Sequence, residues 1–221
     1  MRIDAKGMYY KKLNELIYQA ACNGEKDIIL DNVNGQRYIG DGLTGDIRIV
    51  VNGVPGNDLA AFMDGPTIIV NSNGQDGICN TMNTGRVTVH GDVGDIVGHS
   101  MRGGRVYIKG NVGYRVGIHM KSYKDLYPVI ITGGCAGDFL GEYMAGGVII
   151  ILGLDREEIK DRGLQPIVGN YVGTGMHGGA IYIRGNVEEY QLGKEVKAAE
   201  LDKKGIREIK GYLKEYCNDF S

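Results

Sequence analysis

The sequence contains no tryptophan and only four prolines and four cysteines among its 221 residues. The cysteines lie at least 56 residues apart, at Cys22, Cys79, Cys135 and Cys217. This spacing excludes a Cys-x-x-Cys site for zinc, redox chemistry or an iron–sulfur cluster. The count alone leaves two disulfides open, but the composition favours buried thiols that pack as small apolar side chains.

The sequence also lacks a strong excess of charge and a long apolar segment. Its formal net charge is -2 at pH 7, whereas binding to nucleic acid or to a membrane surface needs clustered basic residues. No apolar run approaches the roughly 18 residues of a membrane-spanning helix, and the N-terminus has no signal-peptide apolar region. We therefore expect a cytoplasmic protein that binds neither nucleic acid nor membrane.

Glycine is abundant, with 37 residues, and it recurs periodically, which indicates structural repeats. Segments such as "ICNTMNTGRVTVHGDVG", "VGHSMRGGRVYIKGNVG" and "VGTGMHGGAIYIRGNV" share an apolar residue, a small residue, two variable residues, Met, a Gly-containing turn and several β-formers. Leu43 begins the series, and insertions after Met120 and Gly153 lengthen its last two steps. The repeated methionines are Met63, Met82, Met101, Met120, Met144 and Met176.

Each repeat contains a short strand with alternating sides, such as Val87 and Val89 around Thr88, Val106 and Ile108 around Tyr107, or Ile181 and Ile183 around Tyr182. A single unit cannot bury its apolar face, but stacked units pair their strands in parallel and form one interior. The repeat therefore predicts an all-β fold: a single-stranded, right-handed parallel β-helix of about seven coils with a 19–20-residue repeat.

The same repeat assigns structural roles to the glycines and methionines. Corners need residues with positive φ, or with no Cβ where stacked backbones come close. The six methionines then form a ladder that fills the core, and a soft-metal stripe is the less economical interpretation. The predicted structural corner glycines are Gly85, Gly103, Gly104, Gly146, Gly147, Gly178 and Gly179.

The flanks of the repeat array predict helices that cover its open ends, because exposed strand edges invite aggregation. Residues 9–21 place Leu13, Leu16, Ile17 and Ala20 on one helical face before Gly24. A second helical face near the other end contains Ile206, Ile209, Leu213 and Tyr216. We divide the single domain into a capping helix (1–25), the β-helix (26–190) and a helical segment (191–221).

Two motifs resemble catalytic or nucleotide-binding signatures, and the repeat explains both. "GTGMHG" at 173–178 matches G-x-G-x-x-G, but a strand follows it where a dinucleotide site needs a helix. "GHSMR" at 98–102 misses the G-x-S-x-G hydrolase elbow at its last position. Ser100 occupies the same repeat position as Phe62 and Thr81, which favours a corner residue over a nucleophile.

The remaining titratable side chains offer no convincing catalytic or metal site. The one-position offset between His99 and His119 in the repeat predicts that their rings do not stack closely, and a metal would need further ligands. Asp138 and Glu142 form the only acidic pair near the glycine corners, and without a partner base we assign it no role. The other histidines are His90 and His177. We therefore assign no catalytic, cofactor-binding or metal-binding residue to this chain.

The motifs "GEYMAGG", "VGNYVGTGMHGG", "NTM" and "DAKGMYYKKLN", taken together across residues 4–190, resemble the GXGXG domain of the glutamate synthase large subunit. A free-standing chain of this kind is similar to the archaeal-type arrangement, in which the parts of that enzyme are separate polypeptides. The resemblance implies a scaffold that is not catalytic alone, with FMN and an iron–sulfur cluster in one partner subunit and glutamine amidotransferase activity in another.

Two other interpretations stay open at this point. The β-helix subunit of formylmethanofuran dehydrogenase has similar repeats, although "GEYMAGG" and the N-terminal helix fit it less well. An independent hydrolase rests only on the near-miss at Ser100. Inserted loops commonly carry contacts, so the loops after Met120 and at 154–165 are the predicted docking positions for partners, and a homo-oligomer is also open.

Overall fold

A computed structural model describes residues 1–154 and 166–221 of the chain. In these two ranges, nine strands form one sheet, two α-helices flank it, and Glu189–Gln191 form a short 3-10 helix. The helices are α1 (Tyr10–Cys22) and α2 (Lys203–Phe220). The strands are β1 (Arg2–Asp4), β2 (Asp27–Asn34), β3 (Arg48–Val54), β4 (Asp64–Val70), β5 (Thr84–Val89), β6 (Arg105–Ile108), β7 (Val129–Thr132), β8 (Ala145–Ile151) and β9 (Gly178–Ile183).

Each strand pairs in parallel with the next strand along the chain, so the sheet order is the sequence order. A chain that returns to its own sheet after every strand is a parallel β-helix, which confirms the predicted fold class. The coil has about six turns, one fewer than the sequence predicted. The seven repeat positions from Leu43 to Met176 are separated by six steps, so they enclose six turns.

The interior of the coil is a set of stacked apolar columns. Val87 pairs with Val106, Val106 with Ile130, and Ile130 with Ile149, and all four side chains are fully buried. Their neighbours along each strand, such as Thr88 and Tyr107, face the other side of the sheet, as the alternation predicted. Met63, Met82, Met101, Met120 and Met144 are fully buried in the same core, and Met176 is partly buried.

Asparagine and aspartate side chains tie successive turns together at the corner that follows the sheet. The Asp92 amide donates to Asn73 Oδ1 at 3.0 Å, and the Asn111 amide donates to Asp92 Oδ1 at 2.6 Å. A second ladder begins where the Asp95 amide donates to Asp76 Oδ1 at 2.9 Å. These carboxylates and amides satisfy backbone donors that the sheet leaves unpaired.

Helix α1 covers the N-terminal end of the coil. Leu13, Ile17 and Ala20 are buried in the main core, and Leu16 is partly buried against it. The helix ends where the Gly24 amide, in a residue with φ +85°, donates to the Ala21 carbonyl at 3.0 Å. The segment before α1 also contains β1, which pairs with β2 and is the first strand of the sheet.

Helix α2 is present where the sequence predicted it, but it does not cover the C-terminal end of the coil. It crosses the outer face of the sheet from β9, where Tyr182 donates to Glu208, to β5, where Thr88 donates to Asp219. Its apolar side packs on a second cluster that includes Tyr107, Ile131 and Ile150. The outward columns of β6 to β8 are apolar, so burying them stabilises this position of the helix.

None of the four cysteines forms a disulfide, and only Cys79 is buried. Cys135 is half-buried, and Cys22 and Cys217 are exposed on the outer sides of the two helices. The expectation of buried cysteines is therefore wrong for the helical pair, because their positions face solvent. None of the helices in the described ranges is long and apolar enough to cross a membrane.

Candidate partner interface

The corner that precedes each methionine has the same unusual backbone in every turn. The residues one, three and five positions before Leu43 and before each repeated methionine all have positive φ, between +54° and +74°. In the turn that ends at Met101 they are Ile96, Gly98 and Ser100, at +54°, +67° and +54°. Left-handed backbone at every second residue is therefore the structural unit of the repeat.

Hydrogen bonds between turns hold this backbone in place. The amide of Ile96 donates forward to the Tyr114 carbonyl at 2.8 Å, and the amide of Gly98 donates backward to the Ile78 carbonyl at 2.8 Å. The Ser100 amide donates forward again, to the Ile118 carbonyl at 2.9 Å. Alternation of the left-handed residues lets one segment bond to both neighbouring turns, which satisfies backbone groups outside the sheet.

Many of these left-handed positions carry large side chains where glycine would be least strained. In the last three turns, the side chains at these positions line up in two columns at the surface. We call this set of side chains the aromatic corner. Its members are Arg115, His119, Phe139, Tyr143 and Tyr171. Tyr143 and Tyr171 are 46% and 52% exposed, so the columns border solvent.

The rings of the aromatic corner stack across turns. His119 and Tyr143 stack with centroids 5.2 Å apart and planes 10° apart. Phe139 and Tyr171 stack at 4.8 Å and 15°. The spacing follows the distance between stacked turns, so the coil itself sets the ring geometry.

The aromatic corner also contains an ion pair, and one of its two partners is buried. Arg115 Nε lies 2.9 Å from Glu142 Oε2, and Glu142 is buried. The Arg115 guanidinium also lies 4.8 Å from the Phe139 ring centroid, so it combines an ion pair with a cation–π contact. Glu142 thus holds Arg115 over the ring, and Asp138 accepts the Asn170 amide at 2.7 Å.

His99 and His119 are neighbours, but their ring planes are tilted by 57°, so the rings do not stack, which agrees with the prediction from their offset. Their ring centroids are 6.0 Å apart, because both side chains leave the corner on the same surface despite their one-position offset. Partial burial and the nearby His119 lower the pKa of His99, and the carboxylate of Asp58 opposes this effect. Among the described residues, no three His, Cys, Asp or Glu side chains are grouped as metal ligands would be.

The two motif-like segments lie in this corner. Residues 173–178 form the left-handed corner before β9, and Gly173 and Gly175 have φ +68° and +67°. Ser100 lies in the equivalent corner three turns earlier, where its amide bonds to the next turn. Neither segment leads into a helix, so neither has the geometry of a phosphate loop or a nucleophile elbow.

The glycines singled out in the sequence lie just after the methionines, at the entry to the strands. Gly104 and Gly147 have φ +84° and +91°. A Cβ on Gly104 would lie 2.5 Å from Met82 Cε, and one on Gly147 would lie 2.6 Å from the Pro128 carbonyl oxygen. Equally close approaches of 2.3 to 2.7 Å occur at Gly85, Gly103, Gly146 and Gly179, and Gly178 is less crowded at 3.3 Å.

Of the two inserted loops predicted as docking positions, the structure describes the first in full and the second only at residue 154. The insertion after Met120 is a small turn closed by an antiparallel bridge between Tyr123 and Leu126, and Tyr123 is exposed. Of the predicted docking loop at 154–165, residues 155–165 lie outside the described part of the chain. The sequence missed the aromatic corner because its residue types differ from turn to turn, and only their shared position links them.

Comparison with known proteins agrees with this fold. The model of the GXGXG motif family matches residues 28–221. The chain is also similar to the uncharacterized protein MJ1350 of Methanocaldococcus jannaschii, with 51% identity over 222 residues that cover 99% of this chain and 84% of that protein. The family's description places glycine at every second residue, which is also the spacing of the left-handed positions in the corner. The chain therefore belongs to the GXGXG motif family, and its domain is of the glutamate synthase type.

Proposed function

We propose that this chain is the scaffold subunit of a glutamate synthase complex, which makes glutamate from glutamine-derived ammonia and 2-oxoglutarate. In this proposal an FMN and iron–sulfur subunit and a glutamine amidotransferase subunit carry the chemistry. The chain holds these partners in a fixed relation along a coil of about six turns, or roughly 30 Å at the spacing of paired strands.

Family membership supports this role, and so do the contacts of the polar residues that might otherwise be catalytic. Glu142 pairs with Arg115, and Asp138 accepts a backbone amide of the next turn. The Asp92 and Asp95 carboxylates likewise accept amides from neighbouring turns. These groups stabilise the stack of turns, as expected for a rigid support.

The observation that carries the proposal is the aromatic corner, which we assign as the docking surface for the FMN and iron–sulfur subunit. Exposed Tyr and Arg side chains are typical of the residues that dominate binding energy at protein interfaces. Here the ring stacks and the Arg115–Glu142 pair order the side chains in advance. A preordered surface loses less side-chain entropy when a partner binds.

Co-expression with the FMN and iron–sulfur subunit tests this assignment. We expect the two chains to elute together in size-exclusion chromatography. The double variant Tyr143→Asn, Tyr171→Asn should weaken the complex by about 100-fold, since two interface tyrosines are lost. Asn adopts the left-handed backbone readily, so the variant should keep the fold, which circular dichroism can check.

The matched control is Tyr190→Asn, because Tyr190 is 76% exposed and lies outside the aromatic corner. It should leave the affinity unchanged. Equal loss of binding in both variants would contradict the assignment of the surface. Assembly with the molybdenum or tungsten subunits of formylmethanofuran dehydrogenase, and not with the synthase subunit, would contradict the proposed complex.

A further inference from the structure

The chain begins one more turn of the coil after β9 without completing it. Leu192 bridges to Val172, and the Gly193 amide donates to the Val172 carbonyl at 2.7 Å. Val196 lies 20 residues after Met176 and takes the methionine position. A Cβ on Gly173 would lie 2.7 Å from Val196 Cγ1. The corner of the next turn is therefore in place.

The strand that should follow this corner is missing. Continuing the 20-residue register would place residues 198–203 beside β9, with Lys203 in the interior column of Ile183. Burying an unpaired lysine is strongly unfavourable. Residues 197–203 are instead exposed, and the chain enters α2 at Lys203.

As a result, no strand in the described part of the chain pairs with the outer edge of β9, and the side chains at this edge are incompletely covered. The Arg184 amide donates back to Ile151 in β8, so by the period of two the amides of Ile181 and Ile183 face away from β8. Both side chains are only partly buried, whereas Ile149 and Ile151, one turn earlier in the same columns, are fully buried.

Helix α2 extends over the vacant position. Glu208 contacts Tyr182 in β9, and the rest of the helix continues toward β5, so residues 203–207 project beyond β9. Five residues add about 7 Å of helix, which exceeds one strand spacing of about 4.8 Å. Ile206 is on the same helical face as Ile209 and Leu213, which pack on the sheet, yet it is 49% exposed.

We propose that this vacant position, which we call the strand slot, binds one extended segment of a partner polypeptide whose alternate residues are apolar. The segment would accept hydrogen bonds from the amides of Ile181 and Ile183 and would cover the side chains of both residues. It would also contact Ile206 on the side of α2 that faces the sheet. A second copy of the chain does not fit, because the corner at 188–196 already occupies that layer and leaves room for one strand and not for another coil. This inference is independent of which complex the chain joins.

Hydrogen exchange measured by NMR on the full chain tests whether the slot is vacant. The amides of Ile181 and Ile183 should exchange at least about 100-fold faster than those of Ile149 and Ile151, since only the latter pair with a following strand. Equal protection at the two pairs of sites would overturn the proposal. Protection that rises with protein concentration would identify a second copy as the occupant, and would also overturn it.

A blocked peptide with the sequence of residues 103–110, GGRVYIKG, is the probe for binding. It should bind saturably and slow exchange at Ile181 and Ile183, whereas a scrambled peptide should not. Ile206→Lys should weaken peptide binding by about tenfold, since one apolar contact of isoleucine size is lost. Ile206→Met is the matched control and should bind normally. Absence of peptide-dependent protection, or an unchanged affinity in Ile206→Lys, would overturn the proposal.

Discussion

At the scale of single residues, the repeat is defined by backbone conformation more than by residue type. Positions one, three and five before each methionine hold glycine in some turns and Ile96, Arg115, Phe139 or Tyr171 in others, yet all have positive φ. Left-handed backbone costs a residue with a Cβ roughly 1–2 kcal/mol. Hydrogen bonds to both neighbouring turns hold these residues in place despite that cost.

Ile96 should be the most strained of these residues, because β-branched side chains rarely adopt positive φ. We predict that Ile96→Gly raises the free energy of unfolding by about 1 kcal/mol, measured by urea denaturation. The matched control is Ile118→Gly, since Ile118 is also half-buried in this corner but does not have positive φ. A loss of stability in both variants would show that side-chain packing outweighs backbone strain.

The corner glycines should behave in the opposite way. Gly104→Ala and Gly147→Ala should each lower the free energy of unfolding by about 1–3 kcal/mol, because both combine positive φ with a close neighbouring atom. Gly211 lies in α2, and a Cβ at this position would meet no atom of another described residue within 4 Å, apart from its chain neighbours and the adjacent helix backbone. Gly211→Ala should therefore stabilise the protein by up to about 1 kcal/mol. Unchanged thermal unfolding in the two corner variants would contradict their structural role.

Thr132 is a residue-scale exception to the apolar interior. It is fully buried between Ile108 and Ile151 in an inward column, and its hydroxyl has no hydrogen-bond partner among the residues that the structure describes. Thr132→Val should therefore stabilise the protein by about 1–2 kcal/mol. Thr88→Val should do the reverse, because Thr88 Oγ1 donates to Asp219 at 2.7 Å. Chemical denaturation of the two variants distinguishes these outcomes.

At the scale of secondary-structure elements, the sequence predicts the existence of both helices, but it predicts the packing position of α1 only. The spacing of Ile209, Leu213 and Tyr216 predicts an apolar helical face, and that face is what packs on the sheet. The part of the sheet on which α2 packs depends on which outward-facing strand residues are apolar. Tyr107, Ile131 and Ile150 come from three separate turns, and they become neighbours only when the coil forms.

Polar contacts fix the register of α2 on the sheet. Arg86 lies 3.2 Å from Glu215 and 3.1 Å from Asp219, and Tyr107 donates to Glu215 at 2.8 Å. Burial, followed by this hydrogen bond, raises the pKa of Tyr107. Tyr107 therefore remains a neutral donor across the physiological pH range.

Tyr216 anchors α2, since it is buried against Tyr107 and its hydroxyl donates to the Ile108 carbonyl at 3.2 Å. Tyr216→Ala should cost about 3 kcal/mol, as for other large buried aromatics. Hydrogen exchange should accelerate throughout α2 and much less in the coil. The exposed Lys214→Ala serves as the control and should change stability by less than about 0.5 kcal/mol.

At the scale of the whole molecule, each turn contacts only its neighbours, so stability should vary along the coil. Helix α1 closes the N-terminal end with three buried side chains, whereas the C-terminal end has the incomplete turn and partly exposed Ile181 and Ile183. The two ends should therefore open with different free energies.

We predict that native-state hydrogen exchange finds the lowest opening free energy in β9 and rising values toward β5. Deleting residues 1–24 should abolish this asymmetry, because it removes α1 and exposes the other end of the core. Uniform exchange along the intact sheet would instead show that the coil unfolds as one cooperative unit.

The sequence by itself determined the parallel coil, the methionine core and the positions of the corners, because a repeat places the same interactions in every turn. Only the tertiary structure decided the aromatic corner, the place of α2 and the strand slot. Each depends on residues such as His119 with Tyr143, or Tyr182 with Glu208, that are 24 to 26 positions apart. Such residues come together when turns of unequal length stack, and no local sequence pattern predicts that they are in contact.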